Sequence, residues 1–296
     1  MRGVVVLMLL APLVGCREAA TEARPLAAKP RPSPLAPADP EATGQVPTMG
    51  EERRIGDWTL RVWHRPEDSG GQAVISLDRL GRPPRTIDGV AEILEGSGRD
   101  LSGDGHPDLV LLRYSGGMHC CFQTEIHDLG PEDRLLLRTP ASSCPARPAD
   151  IDGDGSLELR GCDDAFAYRS CSFAASPLPV VILAYDDAAS GFVSAGPRYA
   201  PWLLAELRRA DERLTREAAD AGPPARCALL DAVVTRLYLG REAEGWSLLE
   251  RSLPADDAGG LRDEIGEVLA ESPLYPRPVP RVVLAPALLP QTMDGP

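Results

Sequence analysis

Two stretches rich in acid and glycine, fifty residues apart, hold the side chains best suited to chemistry. The first reads DLSGDGHPD from Asp100 to Asp108, and the second DIDGDGSLE from Asp150 to Glu158. Oxygen-bearing side chains recur at loop positions 1, 3, 5 and 9: Asp100, Ser102, Asp104 and Asp108 in one, Asp150, Asp152, Asp154 and Glu158 in the other. Position 6 is glycine in both, Gly105 and Gly155. A hard divalent cation seeks about six to eight oxygens. The glycine lets the backbone turn, so that the position 7 carbonyl of His106 or Ser156 also faces it. Each stretch therefore reads as a cradle for Ca2+, two sites in all. Mg2+ fits less well, because it gives up its water reluctantly. The second site offers four carboxylates to the first site's three, so it is expected to bind more tightly.

A helix–loop–helix calcium hand needs a bidentate glutamate at position 12, and those positions hold Leu111 and Gly161. The last carboxylate comes instead at position 9, and strand-forming residues follow. In this the loops resemble those of FG-GAP and VCBS repeats, the blades of integrin-type β-propellers, over a stretch from about Val90 to Asp187. The resemblance implies a β-domain of propeller-like repeats in which calcium acts as a clasp. Placing Asp100 on Asp150 also places Cys121 on Cys171, a further sign of an internal repeat.

A second concentration of reactive side chains is SGGMHCCF, from Ser115 to Phe122. Met118, His119, Cys120 and Cys121 offer thioether, imidazole and thiolate, which suit Cu(I) or Zn2+. Neighbours on a strand point to opposite faces, however, so Cys120 and Cys121 are expected in two separate disulfides rather than on one ion. SGG followed by HCC also resembles a motif of bacterial envelope proteins that carry a calcium-type loop just before it. With Cys144, Cys162, Cys171 and Cys227 the disulfide candidates number six, and fifteen connectivities stay open. Asp163-Asp164 and Asp186-Asp187 read as turns. No HExxH, nucleophile elbow or glycine-rich nucleotide loop is present.

The elements that must position these groups follow from periodicity. Trp58, Leu60 and Val62 alternate with polar neighbours as in a half-buried strand, and further strands are expected at Ala73 to Leu77, Val90 to Leu94, Leu109 to Tyr114, Phe122 to Ile126, Leu135 to Leu137, Leu157 to Leu159 and Val180 to Tyr185. After Pro201 the spacing becomes helical: Leu203, Leu207, Ala210 and Leu214, then Cys227, Leu230, Val234 and Leu237, then Ala243, Trp246, Leu249 and Leu253, then Leu261, Ile265 and Leu269. The fold class is α+β: an antiparallel β-rich domain with two calcium loops over residues 53–198, then a small α-helical hairpin domain over 199–272 and a proline-rich tail over 273–296.

Residues 1–16 read as an export signal. Arg2 precedes a short apolar run, and Leu13-Val14-Gly15-Cys16 resembles the bacterial lipobox, which implies lipidation of Cys16. Arg17 after the cysteine resembles the pattern sent on to the outer membrane. Residues 17–52, punctuated by proline and without apolar periodicity, read as a tether. The net charge is −13 and Lys29 is the only lysine, which argues against nucleic acid as partner and against Schiff-base chemistry or a P-loop. The expectation is a calcium-stabilised binding or scaffold protein, lipid-anchored in the cell envelope and facing periplasm or surface, with an envelope protein or glycan as partner. Two alternatives stand beside it: a calcium-dependent envelope hydrolase, and copper or zinc handling through Met118, His119, Cys120 and Cys121.

Overall fold

The computed structural model describes residues 48–64, 72–117, 120–217 and 223–285. The signal segment with Cys16, the tether up to residue 47, Met118 and His119, and the tail beyond residue 285 lie outside the described residues.

Eleven strands lead the described chain: β1 (Thr48–Ile55), β2 (Trp58–His64), β3 (Ala73–Arg79), β4 (Arg85–Ile93), β5 (Asp108–Tyr114), β6 (Phe122–Asp128), β7 (Leu135–Arg138), β8 (Arg147–Ala149), β9 (Glu158–Cys162), β10 (Val180–Asp186) and β11 (Gly191–Ser194). They form two open antiparallel meanders, a seven-stranded sheet β1 to β7 and a four-stranded sheet β8 to β11, each in sequence order. Helices α1 (Gly196–Tyr199), α2 (Leu204–Glu217), α3 (Pro223–Tyr238), α4 (Glu242–Ser252) and α5 (Ala255–Glu271) follow. The predicted antiparallel β-rich region and C-terminal helical region are both present. No helix among the described residues is long and apolar enough to cross a membrane.

The run LVLL in β5 shows how pattern becomes packing. Alternate strand residues face opposite sides. Leu109 and Leu111 accordingly join Trp58, Leu60 and Ile75 in one core, while Val110 and Leu112 join the core beneath the helices. Burial on both faces is why β5 is continuously apolar where β2 alternates. The second core takes in Ile126, Leu159, Leu183 and Phe192 from the strands and Val233, Leu249, Leu261 and Ile265 from the helices. Strand region and helices thus share one apolar interior. The stripes of α3 and α5 are buried where their spacing placed them, whereas in α4 Ala243 is exposed and Leu248 is buried beside Leu249; Gly240 ends α3 with φ 72°, a left-handed turn that favours glycine.

The structure adds β8 and β11 to the expected strands, starts β4 at Arg85 and the helices at Gly196, and differs from the sequence reading at both ends of the described chain. β1 begins at Thr48, inside the stretch read as tether, because an exposed edge strand is held by backbone pairing to β2 rather than by an apolar face. The tail packs on the sheets around Val283. Val283 is buried; its N–H donates to the Phe192 carbonyl (2.9 Å) and its carbonyl accepts from the Arg138 N–H (3.1 Å). The tail therefore runs between β11 and β7 and covers an edge of each sheet, where unpaired backbone groups would otherwise be exposed.

Candidate metal sites in two hairpin loops

Each acidic loop closes a hairpin between adjacent antiparallel strands, the first between β4 and β5 and the second between β8 and β9. The position 9 carboxylate opens the outgoing strand, Asp108 in β5 and Glu158 in β9. The two loops then repeat one hydrogen-bond frame. Asp100 accepts the Gly103 and Gly105 N–H groups (2.7 and 2.8 Å), and Asp150 accepts those of Gly153 and Gly155 (2.8 and 3.1 Å). At position 5, Asp104 accepts the His106 N–H (2.8 Å) and Asp154 that of Ser156 (2.7 Å). Position 9 reaches back to position 2: Leu101 N–H donates to Asp108 (2.7 Å), and Ile151 N–H to Glu158 (3.1 Å).

This frame needs left-handed backbone at the glycines, with φ of 78° and 86° at Gly103 and Gly105 and 81° and 90° at Gly153 and Gly155. A Cβ at Gly155 would meet nothing within 4 Å, so a substitution there is opposed by backbone strain alone. Gly155→Ala is expected to destabilise the protein by about 1–2 kcal/mol, read by urea unfolding. An unchanged midpoint would mean that the loop relaxes freely.

The loops differ in how their acids converge. In the second, Asp150, Asp152 and Glu158 each offer a carboxylate oxygen within 4.8 Å of the others. Asp154 stands outside that group, and its Ser156 hydrogen bonds hold its carboxyl below the usual range. The first loop has Ser102 at position 3, its Oγ 3.4 Å from Asp100, and among the described residues it brings no three acidic groups so close. It has instead a buried, orphaned oxygen. Asp108 is fully buried; Oδ2 accepts two backbone N–H groups, yet Oδ1 has no partner. Burial pushes this carboxyl up to about 7 against those two hydrogen bonds, and the Asp128 and Asp100 charges push the same way. A cation opposite Oδ1 would offset both the missing partner and the repulsion.

Two supporting residues had no signal in the loop motifs. Arg99 donates through Nη2 to the Gly155 carbonyl and so ties the edge of the first loop to the second. Tyr199 in α1, buried, shares a hydrogen bond with Glu158, and burial first and then that bond raise its hydroxyl well above the usual tyrosine range. Both contacts are long-range, so nothing in local spacing announces them.

No family model matches the chain, and no solved structure matches it. Among curated proteins, an uncharacterized protein of Sinorhizobium fredii, y4bJ, is 27% identical over 145 residues, 44% of this chain and 22% of that protein. The chain thus spans about a fifth of that relative's length.

Disulfides join Cys144 to Cys162 and Cys171 to Cys227. Cys120 and Cys121 are free, which corrects the expectation that each lies in a disulfide of its own. They precede β6 instead of lying in it, so the opposite-face rule does not apply, and their sulfurs lie 2.7 Å apart. Cys121 and Cys171 also sit in unlike settings, the one beside Cys120 and the other bonded to α3, so their equal offset reflects no shared pairing. The SGG turn leaves β5 at the end opposite the first acid loop.

The Asp163-Asp164 pair borders a cavity of about 290 Å3 lined also by Ser142, Arg169 and Ser272. Asp163 is buried and accepts from Tyr238 Oη (2.6 Å) and Ser272 Oγ, while Asp164 accepts from the Ser142 and Ser143 hydroxyls (3.0 Å each). These bonds fasten the segment after β9 to α3, to the chain after α5 and to the segment before β8.

Proposed function

We propose that this chain is a binding or scaffold protein stabilised by Ca2+ at two hairpin loops and tethered through a lipid on Cys16 to the bacterial envelope, in the outer membrane and facing periplasm or surface. The observation that carries the calcium reading is the repeated loop frame, with the converging Asp150, Asp152 and Glu158 and the orphaned Asp108 Oδ1. The donor set is all oxygen, as a hard cation requires. In the first loop Asp100, Ser102, Asp104, Asp108 and the His106 carbonyl would hold the ion; in the second Asp150, Asp152, Asp154, Glu158 and the Ser156 carbonyl. Bound calcium supplies positive charge between carboxylates that otherwise repel.

The likeness to FG-GAP and VCBS blades draws support from topology. The sheet β8 to β11 is a four-stranded meander with the acidic loop between its first two strands, and β4 to β7 repeat that order inside the larger sheet. The two disulfides favour an oxidising compartment. An envelope protein or glycan is the partner class proposed.

Calorimetric titration of Ca2+ and thermal melts in EDTA and in excess Ca2+ test the reading. At free calcium a hundredfold above Kd, one site adds about 2.7 kcal/mol, which for a domain of this size raises Tm by roughly 5–10 °C. Asp152→Asn should weaken the tighter site at least tenfold and shrink that rise. A melt that neither EDTA nor calcium moves sinks the proposal.

A further inference from the structure

The turn between β5 and β6 holds a second chemical feature, unrelated to the acidic loops. Cys120 is exposed and Cys121 is 2% exposed, yet their sulfurs lie 2.7 Å apart, inside ordinary non-bonded contact. Three details hold them there. Cys121 takes φ 130°, backbone that side-chain-bearing residues rarely adopt. Gly117 lies under the pair, where an added Cβ would come 2.7 Å from Cys121 Sγ and 4.0 Å from Cys120 Sγ. Finally, the Ser115 N–H donates to the Cys121 carbonyl (3.0 Å), and Tyr114 stacks on Phe122 with ring centroids 4.7 Å apart, so both ends of the turn are fixed. The other four described cysteines are already paired, so among the described residues these are the two free thiols.

We propose that Cys120 and Cys121 form a redox site, closing to a vicinal disulfide by exchange with a small-molecule disulfide and opening again with a dithiol. Cys120, the accessible sulfur, attacks as its thiolate; a bond forms to one sulfur of the oxidant, whose other sulfur leaves as a thiolate and takes up a proton. Cys121 then loses its proton and attacks Cys120 Sγ, the mixed disulfide breaks, and a second thiol leaves. Two protein thiols are oxidised and one external disulfide is reduced to two thiols. The Cys121 sulfur, then burial, and the Asp164 charge hold the Cys120 thiol above its ordinary range. Exchange therefore accelerates as pH rises, since only the thiolate attacks.

The test uses the full chain, reduced without denaturant, then given oxidised glutathione and finally an alkylating agent. Trypsin releases residues 114–134, which contain Cys120 and Cys121 and no other cysteine. The expected peptide is two hydrogens lighter than the dithiol and unalkylated, and dithiothreitol returns it to the doubly alkylated form. In Cys121→Ser the intermediate cannot be resolved, so glutathione should accumulate on Cys120. Two alkylated cysteines after glutathione treatment, or a stable glutathione adduct in the unmutated chain, would overturn the proposal. Neither result bears on calcium binding.

Discussion

Replacing Cys171 and Cys227 together by serine is expected to remove about 4 kcal/mol of unfolding free energy, the larger of the two disulfide effects. The bridge closes a loop with a sequence separation of 56, against 18 for Cys144–Cys162. A crosslink stabilises chiefly by restricting the unfolded chain, and the restriction grows with the logarithm of loop length. The shorter bridge should therefore contribute about 3 kcal/mol. The longer bridge ties the segment after β9 to α3 and fixes strand region against helices at a point where the shared core also joins them. Urea unfolding of the two double-serine variants checks the order. Equal losses, or a greater loss at Cys144–Cys162, would show that native contacts around the bridges outweigh chain entropy.

How much of this was legible in the sequence depended on how local each cause is. The helices were readable because Leu207, Ala210 and Leu214 must share a face if α2 is to bury one. The loop frame was readable in part because glycine at position 6 and acid at positions 1, 5 and 9 act within nine residues, while the part played by glycine at position 4 emerges only from the backbone. What position could not reveal was where carboxylates point. Asp154 has the same loop standing as Asp152, yet only Asp152 joins Asp150 and Glu158 within ligand distance. Non-local causes left no trace. Val283 is held by Phe192 and Arg138, and Tyr199 by Glu158, and each partner lies far along the chain. The cysteine pair departs from expectation because both residues precede β6, where the opposite-face rule has no hold.

Glu125→Ala is expected to cost about 3–5 kcal/mol and to flatten the acid limb of the stability curve. Glu125 sits in β6 at 1% exposure. Oε1 accepts from Arg113 Nη1 (3.0 Å) and Arg138 Nε (2.8 Å), and Oε2 faces His127 Nε2 (3.0 Å). The far ring nitrogen of His127 lies 2.9 Å from Arg85 Nη2, and Arg85 pairs in turn with Asp133. An arginine can only donate, so His127 Nδ1 accepts and Nε2–H donates to Glu125, the neutral tautomer. Removing the carboxylate leaves Arg113 and Arg138 half-desolvated without their counter-charge, so the loss exceeds that of an exposed pair.

Burial alone would push the Glu125 carboxyl up. The hydrogen bond from His127 and the Arg113 guanidinium overcome it and bring the carboxyl to about 2, against 4.5 when unfolded. With the folded value depressed, the stabilisation is complete above pH 4.5 and is lost as pH falls toward about 2, on the order of 3 kcal/mol in all. Burial likewise lowers His127, so the unfolded chain takes up that proton first and the His127 contribution to stability falls below pH 6.5, while the Asp108 carboxyl, raised to about 7, contributes in the opposite sense over the same range. The imidazolium then adds to the pull on Glu125 only in acid. Urea midpoints between pH 3 and 8 should show the gap between the unmutated chain and Glu125→Ala narrowing below pH 4.5. A variant that loses stability in parallel with the unmutated chain below pH 4.5 would place the acid sensitivity in other carboxylates.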